Sequence, residues 1–224
     1  MLEYLTNNWL EVIGLISGLL CVWLLIKENY LTFPIGLAYS VITIVVVVEA
    51  KLFADVVLNF YFAVMNAYGW YFWLRGGGDR RVATSQDSAI SSEQLIVARL
   101  DKRAWIPLLG LLAAGTWVMG WYFANFTGAD LPYPDSFTTV ASFIAMWMSA
   151  RKYIESWAWW FVIDVIQIGL YLVKGIEAYA VLYTVYLGMA VMGWRAWSKS
   201  CHATSDQPVA HPDKPVKASA QQRP

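Results

Sequence analysis

Asn59 and Asn66 stand seven residues apart, a spacing that stacks side chains on one helical face. Trp160, Asp164, Gln167 and Tyr171 follow at i, i+4, i+7 and i+11 and form a second stripe. Tyr179, Tyr183 and Tyr186 make a third, and Tyr39, Ser40 and Thr43 add hydroxyls and a ring. Amides and hydroxyls satisfy a carboxamide and a sugar, while aromatic faces accept a flat ring. A cationic ring gains further from Trp and Tyr faces and from one carboxylate. The candidate binding set is therefore Asn59, Asn66, Asp164 and Gln167 with Tyr39, Trp160, Tyr183 and Tyr186. Each has an ordinary structural alternative. Asparagines glue helices together in membranes, a buried acid is often capped by backbone or a tyrosine hydroxyl, and tyrosine stripes often only pack.

Absences narrow the chemistry. No Lys or Arg falls in the middle of any long apolar run, so a phosphate would lack a cationic partner at low dielectric. There is no G-x-x-x-x-G-K-[ST] loop to cradle nucleotide phosphates. The two histidines, His202 and His211, sit in a polar tail, where spacing and context make poor metal ligands. No nucleophile, acid–base pair, metal or cofactor is expected, and so no enzyme. A net charge of +0 gives no basic field for nucleic acid.

The elements that position these stripes follow from composition. The chain has 224 residues, 58% hydrophobic and 14% charged, with 13 Trp. Soluble domains carry about 25% charged residues, so lipid is the expected solvent. Spans are expected at roughly 9–26, 32–50, 54–74, 104–124, 137–150, 157–173 and 178–198. No Lys or Arg precedes the first span and no small-residue cleavage site follows it, so it reads as mature protein. With the N-terminus outside and the C-terminus in the cytosol, only Lys51 and Lys174 of the 16 Lys and Arg fall outside. Residues 75–103 read as a polar cytosolic connector with a short amphipathic helix at Glu93–Arg103. Residues 199–224 read as a disordered cytosolic tail.

The chain also repeats. At a shift of 124 residues, Trp23 falls on Trp147, Trp70 on Trp194 and Trp73 on Trp197. All six lie near cytosolic span ends, where an interfacial aromatic belt is the expected role. The expected fold is an all-α membrane protein with seven transmembrane helices in a 3+1+3 arrangement. Its parts are a three-helix repeat at 9–74, a connector plus linker helix at 75–124, a second repeat at 133–198 and the tail at 199–224. The linker makes the two repeats parallel, the SWEET-like arrangement, with a substrate site between them near midplane.

Lys27-Glu28-Asn29 with Phe33-Pro34-Ile35-Gly36-Leu37 resembles the PnuC family of bacterial vitamin transporters. So do Ala54-Asp55, Leu58-Asn59 and the run from Met65 to Tyr71 in the first repeat. In the second repeat the similar stretches are Arg151 to Trp157, Asp164-Val165, Leu170-Tyr171 and Lys174-Gly175. The resemblance covers about residues 9–74 and 133–197. It implies uptake of nicotinamide riboside across the bacterial inner membrane by facilitated diffusion, through a homotrimer, with a cytosolic kinase trapping the product. Relatives that carry thiamine or riboflavin keep another flat vitamin open as substrate. A non-transporting membrane scaffold or sensor is the alternative from a different class.

Overall fold

Long apolar runs with few interior breakers must hydrogen-bond their own backbone, and they do so as helices. The computed structural model describes residues 9–49, 53–83, 93–127 and 130–205. Among these, seven α-helices are present: α1 (Trp9–Ile26), α2 (Thr32–Glu49), α3 (Phe53–Arg75), α4 (Trp105–Phe126), α5 (Pro132–Ala150), α6 (Ser156–Val173) and α7 (Glu177–Ser205). They fall on the seven expected runs. The fifth starts earlier than expected because Pro132 suits a first helical turn, where its missing N–H costs nothing. Along α5, Ser136, Thr138, Ser142 and Ser149 each donate to a carbonyl one turn back, which hides their hydroxyls from an apolar surround.

The turn after α1 and the turn after α5 are built alike, 124 residues apart. Glu28 and Lys152 both take left-handed backbone, with φ of 55° and 59°. Asn29 N bonds Leu24 O at 2.9 Å, and Tyr153 N bonds Met148 O at 2.9 Å. With α1–α3 and α5–α7 called two triplets for description, the third helix of each also behaves alike. Trp73 packs edge-on against Phe33 at 5.0 Å, and Trp197 packs edge-on against Trp157 at 5.4 Å. Gly69 and Gly193 admit these contacts, since a Cβ on either would collide with the Phe33 or Trp157 ring.

The triplets then reach across to each other. Trp73 Nε1 donates to Ser149 O at 3.3 Å, and Trp197 Nε1 donates to Leu25 O at 3.1 Å. The two indoles meet at 6.0 Å. Helix α3 packs on α5, and α7 packs on α1, in the same reciprocal sense. Helix α4 packs on α5 and stands outside this exchange.

Three expectations change. Trp73 and Trp197 are 6% and 0% exposed and form core, whereas Trp23, Trp70 and Trp194 remain exposed as a belt requires. The Trp73 and Trp197 indoles each have a carbonyl partner, which lets a polar N–H be buried. The expected amphipathic helix at Glu93–Arg103 is instead a strand, β2 (Glu93–Leu95), paired antiparallel with β1 (Arg81–Ala83), an extended stretch and one 3-10 turn at Lys102–Ala104. Edge pairing wins there: Ala98 N bonds Lys152 O at 3.1 Å, and Ile154 N bonds Ala98 O at 3.0 Å. This buries Leu95, Val97 and Leu100. Finally α7 runs on to Ser205, past the expected tail boundary, and the remainder of that tail lies outside the described residues.

The outer surface is apolar. Ile106, Trp117, Phe126, Val57 and Val173 are all more than half exposed, and α4 has one buried residue, Gly120. Water does not tolerate such patches over several helices, whereas lipid does. By length and composition, Lys102–Phe126 and Ser156–Val173 can each cross a bilayer.

Trp197→Ala should destabilise the protein by about 3–5 kcal/mol, as expected for a fully buried aromatic. Trp117→Ala, on the exposed face of α4, should cost less than about 0.5 kcal/mol. Thermal unfolding in detergent, compared side by side, checks the contrast.

Candidate functional site

Between the triplets lies a cavity of about 400 Å³, within the range of about 300–1,000 Å³ typical of small-molecule sites. Helices α1, α2, α3, α5, α6 and α7 line it, and α4 does not. Of the eight residues expected from sequence, Tyr39, Asn66, Trp160, Asp164, Tyr183 and Tyr186 stand on its wall. Asn59 and Gln167 are half-buried and stand off the lining, further along α3 and α6.

Each wall residue is held by something specific. Asn66 donates its Nδ2–H to Phe62 O at 2.8 Å, and its Oδ1 lies against the Cα of Gly36. A Cβ at Gly36 would stand 2.5 Å from that oxygen, so glycine is what lets the amide sit there. Gly18 plays the same part for the Tyr186 hydroxyl. Tyr183 meets Tyr186 edge-on at 5.8 Å and Tyr171 at 5.3 Å, and Tyr171 in turn stacks on Tyr179 at 5.1 Å. The tyrosine stripe is therefore partly wall and partly buttress. Trp160 Nε1 donates to Ser149 Oγ at 3.1 Å, and Ser149 donates to Ala145 O at 2.9 Å. That relay fixes the plane of the indole.

The charge pattern of the wall is one-sided. Asp164 is buried, with 4% exposure, and no Lys, Arg or His is among the described lining residues. A carboxylate in such a setting favours a cation beside it and opposes an anion. Positions 124 residues apart face this cavity with different side chains: Gly36 and Trp160, Ser40 and Asp164, Phe62 and Tyr186, Asn66 and Ala190. One member of each pair is larger or more polar, so similar backbones enclose an asymmetric space.

Several wall residues escaped the sequence reading. Ser149, Thr32 and Cys21 bond backbone and gave no signal beyond being small and polar. Trp157 stands in the sequence only as the end of a stretch that resembles the PnuC family; it packs against Trp197 and Gly193. Its Nε1–H is nonetheless buried without a hydrogen-bond partner among the described residues.

Among the described residues no cluster of His, Cys, Asp and Glu could hold a metal ion. The description "Nicotinamide mononucleotide transporter" belongs to the family whose sequence model matches residues 8–199. The chain is 27% identical to the nicotinamide riboside transporter PnuC of Escherichia coli (strain K12), over 91% of each protein. It is 23% identical to the riboflavin/roseoflavin transporter RibM of Streptomyces davaonensis, over 84% of each. Its fold superposes on the crystal structure of the vitamin B3 transporter PnuC with a TM-score of 0.67 and 23% identity, covering 90% of this chain and 86% of that one.

Ser149→Ala removes the acceptor for the Trp160 N–H and should cost about 1 kcal/mol of stability. Ser142→Ala, whose hydroxyl only back-bonds to Thr138, should stay within about 0.5 kcal/mol of wild type. Chemical denaturation of the two variants in detergent checks this.

Proposed function

We propose a function from one premise: this chain belongs to the nicotinamide mononucleotide transporter family, and is a membrane transporter rather than an enzyme. Its cargo in our reading is nicotinamide riboside, the substrate named for the Escherichia coli relative. The observation that carries this choice is a cavity in which Asp164 is the one charged residue among the described lining residues. The riboside has a pyridinium cation, a carboxamide and ribose hydroxyls. The cation finds Asp164 and the Trp160 face, an interaction worth about 2 kcal/mol when water is excluded. The carboxamide and hydroxyls find Asn66, Ser40 and the hydroxyls of Tyr39, Tyr183 and Tyr186. A mononucleotide would bring a phosphate into a cavity without a cation, so the phosphorylated form is excluded.

That exclusion supports a simple mechanism. The chain lowers the barrier to the riboside in both directions, and a cytosolic riboside kinase traps what enters by adding the phosphate. No phosphate loop in the sequence offers another energy source. In this reading α1–α3 and α5–α7 are parallel units, α4 is the linker between them and the 75–103 segment is a cytosolic connector. The N-terminus faces outward and the C-terminus faces the cytosol of a bacterial inner membrane. Three copies assemble, as the PnuC resemblance implies. The reciprocal tryptophan bonds support the like orientation of the units, and the distribution of Lys and Arg supports the sidedness. Riboflavin, the cargo named for the RibM relative, is the second reading. Its ring system is neutral and gains nothing from a buried carboxylate. Thiamine, another flat cation, is separated by competition.

Purified protein should bind nicotinamide riboside saturably in calorimetry, with its phosphate, riboflavin and thiamine at least tenfold weaker. Asn66→Ala and Asp164→Asn should each weaken riboside binding at least tenfold, about 1.4 kcal/mol, while Asn59→Ala stays within threefold. Equal affinity for the phosphate, or wild-type affinity in both wall variants, would refute the site. Labelled riboside should accumulate in vesicles only when a riboside kinase and ATP are enclosed.

A further inference from the structure

The cavity is stopped at one end by an ordered stack. Phe33 and Trp157 form its floor, and Trp73 and Trp197 pack beneath them. Below the indoles lies an ion pair: Lys152 Nζ stands 2.8 Å from Glu28 Oε2 and 4.6 Å from the centre of the Trp73 ring. Lys152 is 3% exposed and also donates to Leu95 O at 2.6 Å. Ser200 on α7 donates to the other carboxylate oxygen of Glu28. Arg80 completes the seal from the connector, bonding Ile96 O and Arg151 O at 3.1 Å each.

Glu28 and Lys152 are the residues that hold left-handed backbone at corresponding turns of the two triplets. Non-glycine residues take that conformation at a cost and keep it where surrounding structure demands it. Here the two unfavourable turns aim opposite charges at each other across the boundary between triplets. A buried pair of this kind contributes little net stability, because desolvation offsets its attraction. What it does supply is a contact that is either made or broken, as a two-position element requires. We infer that the Glu28–Lys152 pair is the latch that shuts the cavity on the connector side, parting when cargo passes there.

The inference rests on the transport reading, yet it can be tested without cargo. Cys21 lines the cavity and serves as the reporter once Cys201 is replaced by serine. A membrane-impermeant maleimide is applied separately to inside-out and right-side-out vesicles. In that background Glu28→Gln and Lys152→Met should each raise the Cys21 labelling rate at least fivefold, and in inside-out vesicles only. The double variant should label no faster than Lys152→Met alone, since one latch can be lost only once. Glu28→Gln is nearly isosteric and leaves the Lys152–Leu95 bond in place, which guards against a trivial loss of fold. Unchanged labelling in both singles, or fivefold gains that multiply in the double, would overturn the latch. Riboside calorimetry on the same proteins reports separately: altered labelling with no riboside binding keeps the latch and removes the cargo.

Discussion

Two reciprocal indole N–H bonds join the molecule's two triplets at one end. Trp73 donates to the carbonyl of Ser149 and Trp197 to that of Leu25. Each donor sits on the last helix of one triplet, and each acceptor near the end of the first helix of the other. Lipid cannot drive helices together as water does, so polar bonds and close packing must do it. Carbonyls near a helix end lack a full set of intrahelical partners, which makes them natural acceptors. Large rings fit because Gly69 and Gly193 open space for their neighbours Phe33 and Trp157. A further bond, Tyr61 OH to Phe143 O at 2.8 Å, joins α3 to α5 away from that end, and the cavity lies between the triplets beside these contacts.

With that frame fixed, chemistry is written by small departures from likeness. Where α2 has Gly36 and Ser40, α6 has Trp160 and Asp164. Where α3 has Phe62 and Asn66, α7 has Tyr186 and Ala190. A small residue on one side makes room for a large one on the other, as Gly18 does for the Tyr186 hydroxyl. A molecule with a ring at one end and a sugar at the other needs such an uneven chamber.

Much of this was legible beforehand, for a physical reason. Helix number and approximate position follow from apolar run length, and the seven helices of the described residues fall on the expected runs. The tryptophan repeat was visible because tryptophan coincidences are rare. Its meaning was not: sequence put Trp73 and Trp197 in a belt, since a ring near a span end looks the same whether it faces lipid or a partner helix. Helical spacing brought Asn66, Trp160 and Asp164 to the wall and also nominated Asn59 and Gln167, which the lining excludes. Spacing identifies a face but not the depth at which that face meets a void. The connector was misread for another reason. Glu93–Arg103 has adequate helix formers, but its fate was set by backbone groups and the Glu155 carboxylate of the distant α5–α6 turn.

The manner in which that connector docks has an evolutionary side. Its grip on the bundle uses main-chain groups throughout: Ala98 pairs with Lys152 and Ile154, Arg80 and Lys152 reach for carbonyls, and Leu100 N donates to the Glu155 carboxylate. Carbonyls and amides are common to every residue type except proline's missing N–H. The strip can therefore drift in composition while its docking survives, provided a few apolar anchors and the two cations persist. Divergent descendants would share the cover's shape long after its letters had ceased to align.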